Sequence, residues 1–184
     1  MKGTEGMNYL DKYKISFGSL DKGEHEFEFE VDDKFFEHFG NVPVQHGFLD
    51  VLVTLNKQET MLLLDFTMEG SIETQCAQCG DPMELELTGF NELTVKFGPE
   101  PSEESEDVIV ISPKEHELNV AQFIYEYITL LIPMRNVHEE DENGESTCNP
   151  ETLKKLDQLL HHEKEEEEKE NDPRWDVLKK INLN

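Results

Sequence analysis

Residues 26–31 read EFEFEV, and this stretch decides the fold. Phe27, Phe29 and Val31 fall on one side of an extended chain, Glu26, Glu28 and Glu30 on the other. Alternation with period two is the mark of a strand with one buried and one wet face. The same pattern returns at Leu49, Val51, Val53 and Leu55. It returns again at Met83, Leu85 and Leu87, separated by Glu84 and Glu86, and at Leu93, Val95 and Phe97. Strands of this kind belong to antiparallel sheets. Asn56–Glu59 reads as a hairpin turn between Leu49–Leu55 and Met61–Met68. Asp32 and Gly40 bracket a short helix over Asp33–Phe39, the first as its cap and the second as its end.

Beyond the strands the period changes. Asn119 is followed by VAQFIYEYITLLIP, in which Val120, Phe123, Ile124, Tyr127, Leu130 and Leu131 lie at helical spacing. This helix should lay its stripe on the sheet, and Pro133 stops it. Arg135 to Pro150 is polar and loop-like. Glu151–His161 is helical by pattern, through Leu153, Leu156, Leu159 and Leu160. Asp172 with Pro173 starts a last helix, whose apolar stripe holds Trp175, Leu178 and Ile181. The expected architecture is α+β: an antiparallel sheet or partly closed barrel packed by one long helix, with an acidic helical C-terminal region. Residues 1–135 should form the core domain, including the cysteine knuckle described below. Residues 136–184 should supply an acidic loop and helices packing partly on that core.

Of the 184 residues, 42 are Asp or Glu and 16 are Lys or Arg, giving a net charge of −26. Broad binding to nucleic-acid phosphate needs the opposite sign, and an anionic membrane would repel such a chain. A partner chosen by charge should be basic. The acidity peaks in two runs, Glu100–Asp107 and Glu163–Glu170, read as a loop or disordered insertion and as a solvated helix or linker. The N-terminus has no apolar region of signal-peptide type, and no stretch reaches the roughly 18 apolar residues of a membrane span. The expected location is cytoplasmic, where cysteines stay reduced or bind metal.

Cys76-Ala77-Gln78-Cys79-Gly80 lies between two strand patterns. Two thiolates at this spacing can meet one tetrahedral zinc, and the glycine permits the tight turn. His138 and Cys148 share one later loop, and with Cys76 and Cys79 they would complete a closed Cys3His set. Two other readings stay open: three reduced cysteines with a solvated histidine, and a reversible Cys76–Cys79 disulfide in a thiol-redox protein. Near the C-terminus Arg174, Lys179 and Lys180 surround Trp175, a set that could hold a phosphate backbone and stack a base, or else anchor and finish a helix. There is no P-loop, dinucleotide-binding glycine motif, serine-hydrolase elbow or HExxH, and no nucleophile is paired with a base. An enzyme is not expected.

CAQCG after a strand, ELNVAQFIYEYITLLIP on a helix, His138 five residues after Pro133, the later Cys148 and a terminal DPRWDVLKKI together resemble the YceD family. That family is named for accumulation of the large-subunit ribosomal RNA. The resemblance implies a noncatalytic factor that supports 23S ribosomal RNA processing or accumulation and large-subunit assembly. Its partners would be the large-subunit precursor, a basic ribosomal protein or the 23S RNA itself, with no small-molecule substrate. The family pattern places its CxxC at Cys76 and Cys79, a Cys or His at His138 and a Cys near Cys148. A Cys/His exchange at one position is what a structural zinc ligand would show. The chain departs from the pattern at Asn136, where relatives often carry proline.

Overall fold

The computed structural model describes residues 9–40, 44, 46–105 and 107–167. Its strands are β1 (Lys14–Ile15), β2 (Gly23–Val31), β3 (His46–Lys57), β4 (Met61–Gln75), β5 (Pro82–Phe97), β6 (Ser102–Ser105), β7 (Val108–Ile111) and β8 (Leu118–Asn119). Its helices are α1 (Asp33–Phe39), α2 (Ala121–Leu131) and α3 (Pro150–Glu167). The described residues divide into two compact units. One lies within Met1–Gln75 and Pro82–Asn136, the other within Cys76–Asp81 and Val137–Asn184.

The first unit is built on a six-stranded sheet of order β2-β3-β4-β5-β7-β6. Alternation sets its faces. Leu49, Val51, Val53 and Leu55 of β3 are buried, as are Leu62, Leu64, Phe66 and Met68 of β4. Each such side chain contributes about 1.5–3 kcal/mol by leaving water. Onto this inner face α2 lays its stripe, with Ile124, Tyr127 and Ile128 buried. The Tyr127 ring meets Phe66 edge-on at 5.2 Å. Gly89 makes room for this helix, because a Cβ there would lie 2.5 Å from Leu131. The Asn119 side chain accepts from the Ala121 N–H and opens the helix. Helix α1 is capped at Asp32, whose carboxylate accepts from the Phe35 N–H, and ends at Gly40 in the left-handed region (φ 71°). Its Phe39 ring stacks on Tyr125 at 4.2 Å.

Three expectations need correction. The sheet is mixed, because β7 runs parallel to β5. It does not close, since β2 and β6 are its free edges. The acidic run from Glu100 is not simply a loop: Ser102–Ser105 is a strand paired antiparallel with β7. One physical reason covers all three. The run Val108–Ile111 is apolar at every position, the pattern of a strand covered on both faces, and such a strand belongs inside a sheet rather than at its edge. The β6–β7 hairpin therefore folds back, inserts β7 beside β5 and leaves the charged strand on the edge, where charge discourages further pairing. The hairpin turn after β3 also falls later than expected, with the Gln58 N–H donating to the Met61 carbonyl. Among the helices α2 has 11 residues and α3 has 18, so the helix on the sheet is the shorter of the two.

The sheet's other face changes the picture of the charge. Register places Glu24, Glu26, Glu28 and Glu30 of β2 and Asp50 of β3 on it. From β4 come Asp65, Glu69 and Glu73, and from β5 Glu84, Glu86 and Glu92. Those eleven carboxylates match the two acidic runs together, which hold five and six of the 42.

Candidate metal centre

The second unit begins with the turn between β4 and β5. The Cys76 N–H donates to the Asp81 carbonyl at 2.9 Å, and the Gly80 N–H to the Cys76 carbonyl at 2.8 Å. Closing so tight a loop puts Gly80 at φ 78°, a left-handed conformation that costs a residue with a Cβ about 1–2 kcal/mol. The Gln78 N–H points at the Cys76 sulfur, at 3.4 Å. The backbone of the turn thus holds the Cys76 sulfur in place.

His138 and Cys148 arrive on a small hairpin. Glu140 pairs with Ser146 in an antiparallel bridge. The Thr147 hydroxyl donates to the Glu139 carbonyl at 2.6 Å. Continuing that register two residues outward sets His138 opposite Cys148. Nine intervening residues therefore bring the two side chains together. The hairpin tip is held by Asp141, whose carboxylate accepts from the Asn143 and Glu145 N–H groups, with Gly144 at φ 79°. Those N–H groups hold the Asp141 carboxyl below its ordinary range.

The four side chains meet. One ligand atom from each of Cys76, Cys79, His138 and Cys148 lies within 4.8 Å of all the others. The Cys76 and Cys148 sulfurs are 3.7 Å apart. His138 Nδ1 is 3.4 Å from the Cys79 sulfur and 3.7 Å from that of Cys148. A tetrahedral zinc with Zn–S of about 2.3 Å and Zn–N of about 2.0–2.1 Å has edges of about 3.8 Å between sulfurs and about 3.6 Å between sulfur and nitrogen. The observed edges fit those values, so this Cys3His cluster could hold a metal ion. The three cysteines are free thiols and buried, so water is largely kept from the donors.

Electrostatics favour at least one thiolate. Burial pushes the Cys76 thiol up. The N–H groups of Cys79, Gln78 and His138 and the Cys79 side chain outweigh that and bring it down to about 6. Cys148 moves the other way: the Ser146 hydroxyl draws it down, but burial and the two neighbouring sulfurs leave it raised.

A clamp joins the two segments within this unit. The Asn149 side-chain amide donates to the Asp81 carboxylate at 3.0 Å, while its Oδ1 accepts from the Glu151 N–H at 3.0 Å and starts α3. Neither Asn149 nor Asp81 was among the expected site residues. The signal was present as Asn149-Pro150, a cap followed by proline at the first helical position. Arg174, Trp175, Lys179 and Lys180 lie outside the described residues. No helix among the described residues is long and apolar enough to cross a membrane.

A family model described as large ribosomal RNA subunit accumulation protein YceD matches residues 64–182. Neither the curated proteins nor the solved structures contain a match.

Proposed function

The chain belongs to the YceD family, and on that premise we propose that it is a noncatalytic factor of large-subunit assembly that supports processing or accumulation of 23S ribosomal RNA. The observation that carries this reading is the match over residues 64–182, which spans the cysteine turn, the helix on the sheet and the His138–Cys148 hairpin. The four side chains of the cluster would fill all four positions around a tetrahedral ion, and a closed set is the mark of a structural rather than a catalytic site. Cys76, Cys79, His138 and Cys148 would hold one zinc ion, which supplies fold stability to two chain segments far apart in sequence. The partner is a basic ribosomal protein or the 23S RNA. The acidic surface supports the protein, steered by charge and weakened by salt. A patch at Arg174, Trp175, Lys179 and Lys180 would be the route to RNA.

Depleting the protein from its host tests the role. Mature 23S RNA and the free large subunit should fall while the small subunit holds its level. An unchanged 23S level sinks the proposal. A second reading, a thiol-redox protein, draws on the lowered Cys76 thiol. It requires that Cys76→Ser abolish activity while zinc content and thermal stability stay as they were. The assembly reading expects all three to fall together.

A further inference from the structure

We infer that the open face of the β2–β5 sheet is a docking surface for an extended, Arg- and Lys-rich polypeptide. The inference rests on the assembly role proposed above and names the partner's chemistry and the place where it binds.

Three observations carry it. The first is the charge pairing. Asp50 lies directly opposite Glu69, Asp65 opposite Glu92 and Glu73 opposite Glu84. Like charges directly opposite across strands are destabilising. A face made only for solubility would intersperse both signs. Here Lys96 is the one Lys or Arg among the described residues whose register puts it on this face, against eleven carboxylates. The repulsion is relieved when cations arrive from outside.

The second is exposed aromatic surface inside the acid field. Phe48 is 52% exposed and Phe90 58%. Both belong to the outer face, Phe48 paired with Ser71 and Phe90 with Thr67. Carboxylates alone would serve any cation. A bare ring beside them selects one that carries methylenes or a flat guanidinium, because such a group can lie on the ring while its charge meets an acid. The register separates the two rings by two strands and four residues, about 16 Å, or about five residues of extended chain.

The third is a hollow of about 570 Å³ at one end of the face, lined by Phe48, Glu73, Glu84 and Asp33 among others. The Ser71 hydroxyl donates to Glu84, one of these lining acids, at 2.7 Å and fixes its direction. His46 also lines the hollow, with its Nδ1 3.0 Å from the Asp33 carboxylate. The hollow is lined by an aromatic ring and by carboxylates together, which suits one Arg side chain as the anchor of the segment. RNA phosphate is refused by the same carboxylates.

The experiment uses the full chain and a synthetic peptide of eight Arg-Gly repeats, read by calorimetry and by backbone amide shifts. The amides of Gly47, Phe48, Glu73 and Glu84 should move on titration. Glu73→Gln with Glu84→Gln should weaken binding about tenfold or more, as should Phe48→Ser. Glu139→Gln with Glu140→Gln, which removes the same charge elsewhere, should change it by less than about twofold. The first double variant should also melt at the same or a higher temperature than the parent, since it loses a repulsive pair. Equal weakening by both double variants overturns the inference, because the peptide would then be reading net charge alone. Shifts confined to α3 overturn it, and so does a single-stranded RNA oligonucleotide that moves the sheet amides. The peptide assay reads the surface and 23S RNA depletion reads the role, so each can fail without the other.

Discussion

At the scale of single residues the cluster depends on how its sulfurs share protons. Cys76 receives backbone N–H groups and is lowered to about 6, whereas Cys148 is raised by burial and its sulfur neighbours. The ordinary value is 9.0, so Cys76 is depressed in the folded state. Its thiolate contributes stability that is fully present above pH 9 and is lost as pH falls towards 6. Metal-free protein should therefore begin to gain ultraviolet thiolate absorbance in a step centred near pH 6 that vanishes in Cys76→Ser, while the absorbance due to Cys148 should appear only above the ordinary cysteine range. A single step near 9 would sink this ordering. The same substitution should drop zinc in untagged protein, measured by elemental analysis, from about one ion per chain to a small fraction. Parent protein without zinc when purified free of chelator would sink the Cys3His reading.

At the scale of elements, the long hairpin of β3 and β4 turns on a close approach at Gly70. A Cβ there would stand 2.2 Å from the Phe48 carbonyl oxygen and 2.6 Å from the Leu49 Cα. Both are backbone atoms of the paired strand, so no side-chain rotation can relieve the contact. Gly70→Ala should cost about 2–3 kcal/mol, read as a lower urea midpoint at unchanged slope. A loss below about 0.5 kcal/mol would mean that the strands part freely at this point. Such close approaches were not legible in the sequence, because a glycine within a strand pattern does not say which neighbour comes near. The strands themselves were legible, since Phe27, Phe29 and Val31 alternate with glutamates. So was α1, whose two caps stand in the sequence as Asp32 and Gly40. The parallel placement of β7 was not, because Val108–Ile111 is apolar throughout and carries no period. Ser102–Ser105 was hidden by its acidic surroundings, which resemble a solvated loop until an apolar neighbour is known to need an edge. The four cluster residues were legible as metal-ligand types. What joined His138 to Cys148 was the register of a hairpin that no strand pattern announces.

At the scale of the whole molecule the net charge of −26 acts on stability and on binding with opposite signs. The acidic runs suggested charge held away from the folded part, yet an equal number of carboxylates stands on one face of the sheet. Self-repulsion of that density destabilises the compact state. Salt shortens its reach, from about 30 Å at 0.01 M to about 3 Å at 1 M. The ion pairs that salt would weaken, such as Lys14–Asp11 and Lys22–Glu59, are exposed or partly exposed, and such pairs contribute little. Repulsion should therefore dominate the response of the free protein. Raising sodium chloride from 10 mM to 500 mM should lift its melting temperature by about 3 °C or more, which for a chain of this size corresponds to about 1 kcal/mol. Over the same range the affinity for an Arg-rich peptide should fall by about tenfold or more, because the field that opposes folding is the one that attracts the peptide. Calorimetry of both quantities in one salt series checks the pair of signs. If the melting temperature fell with salt, attractive ion pairs would be holding the structure, and the acidic face would be internally compensated rather than open to a basic partner.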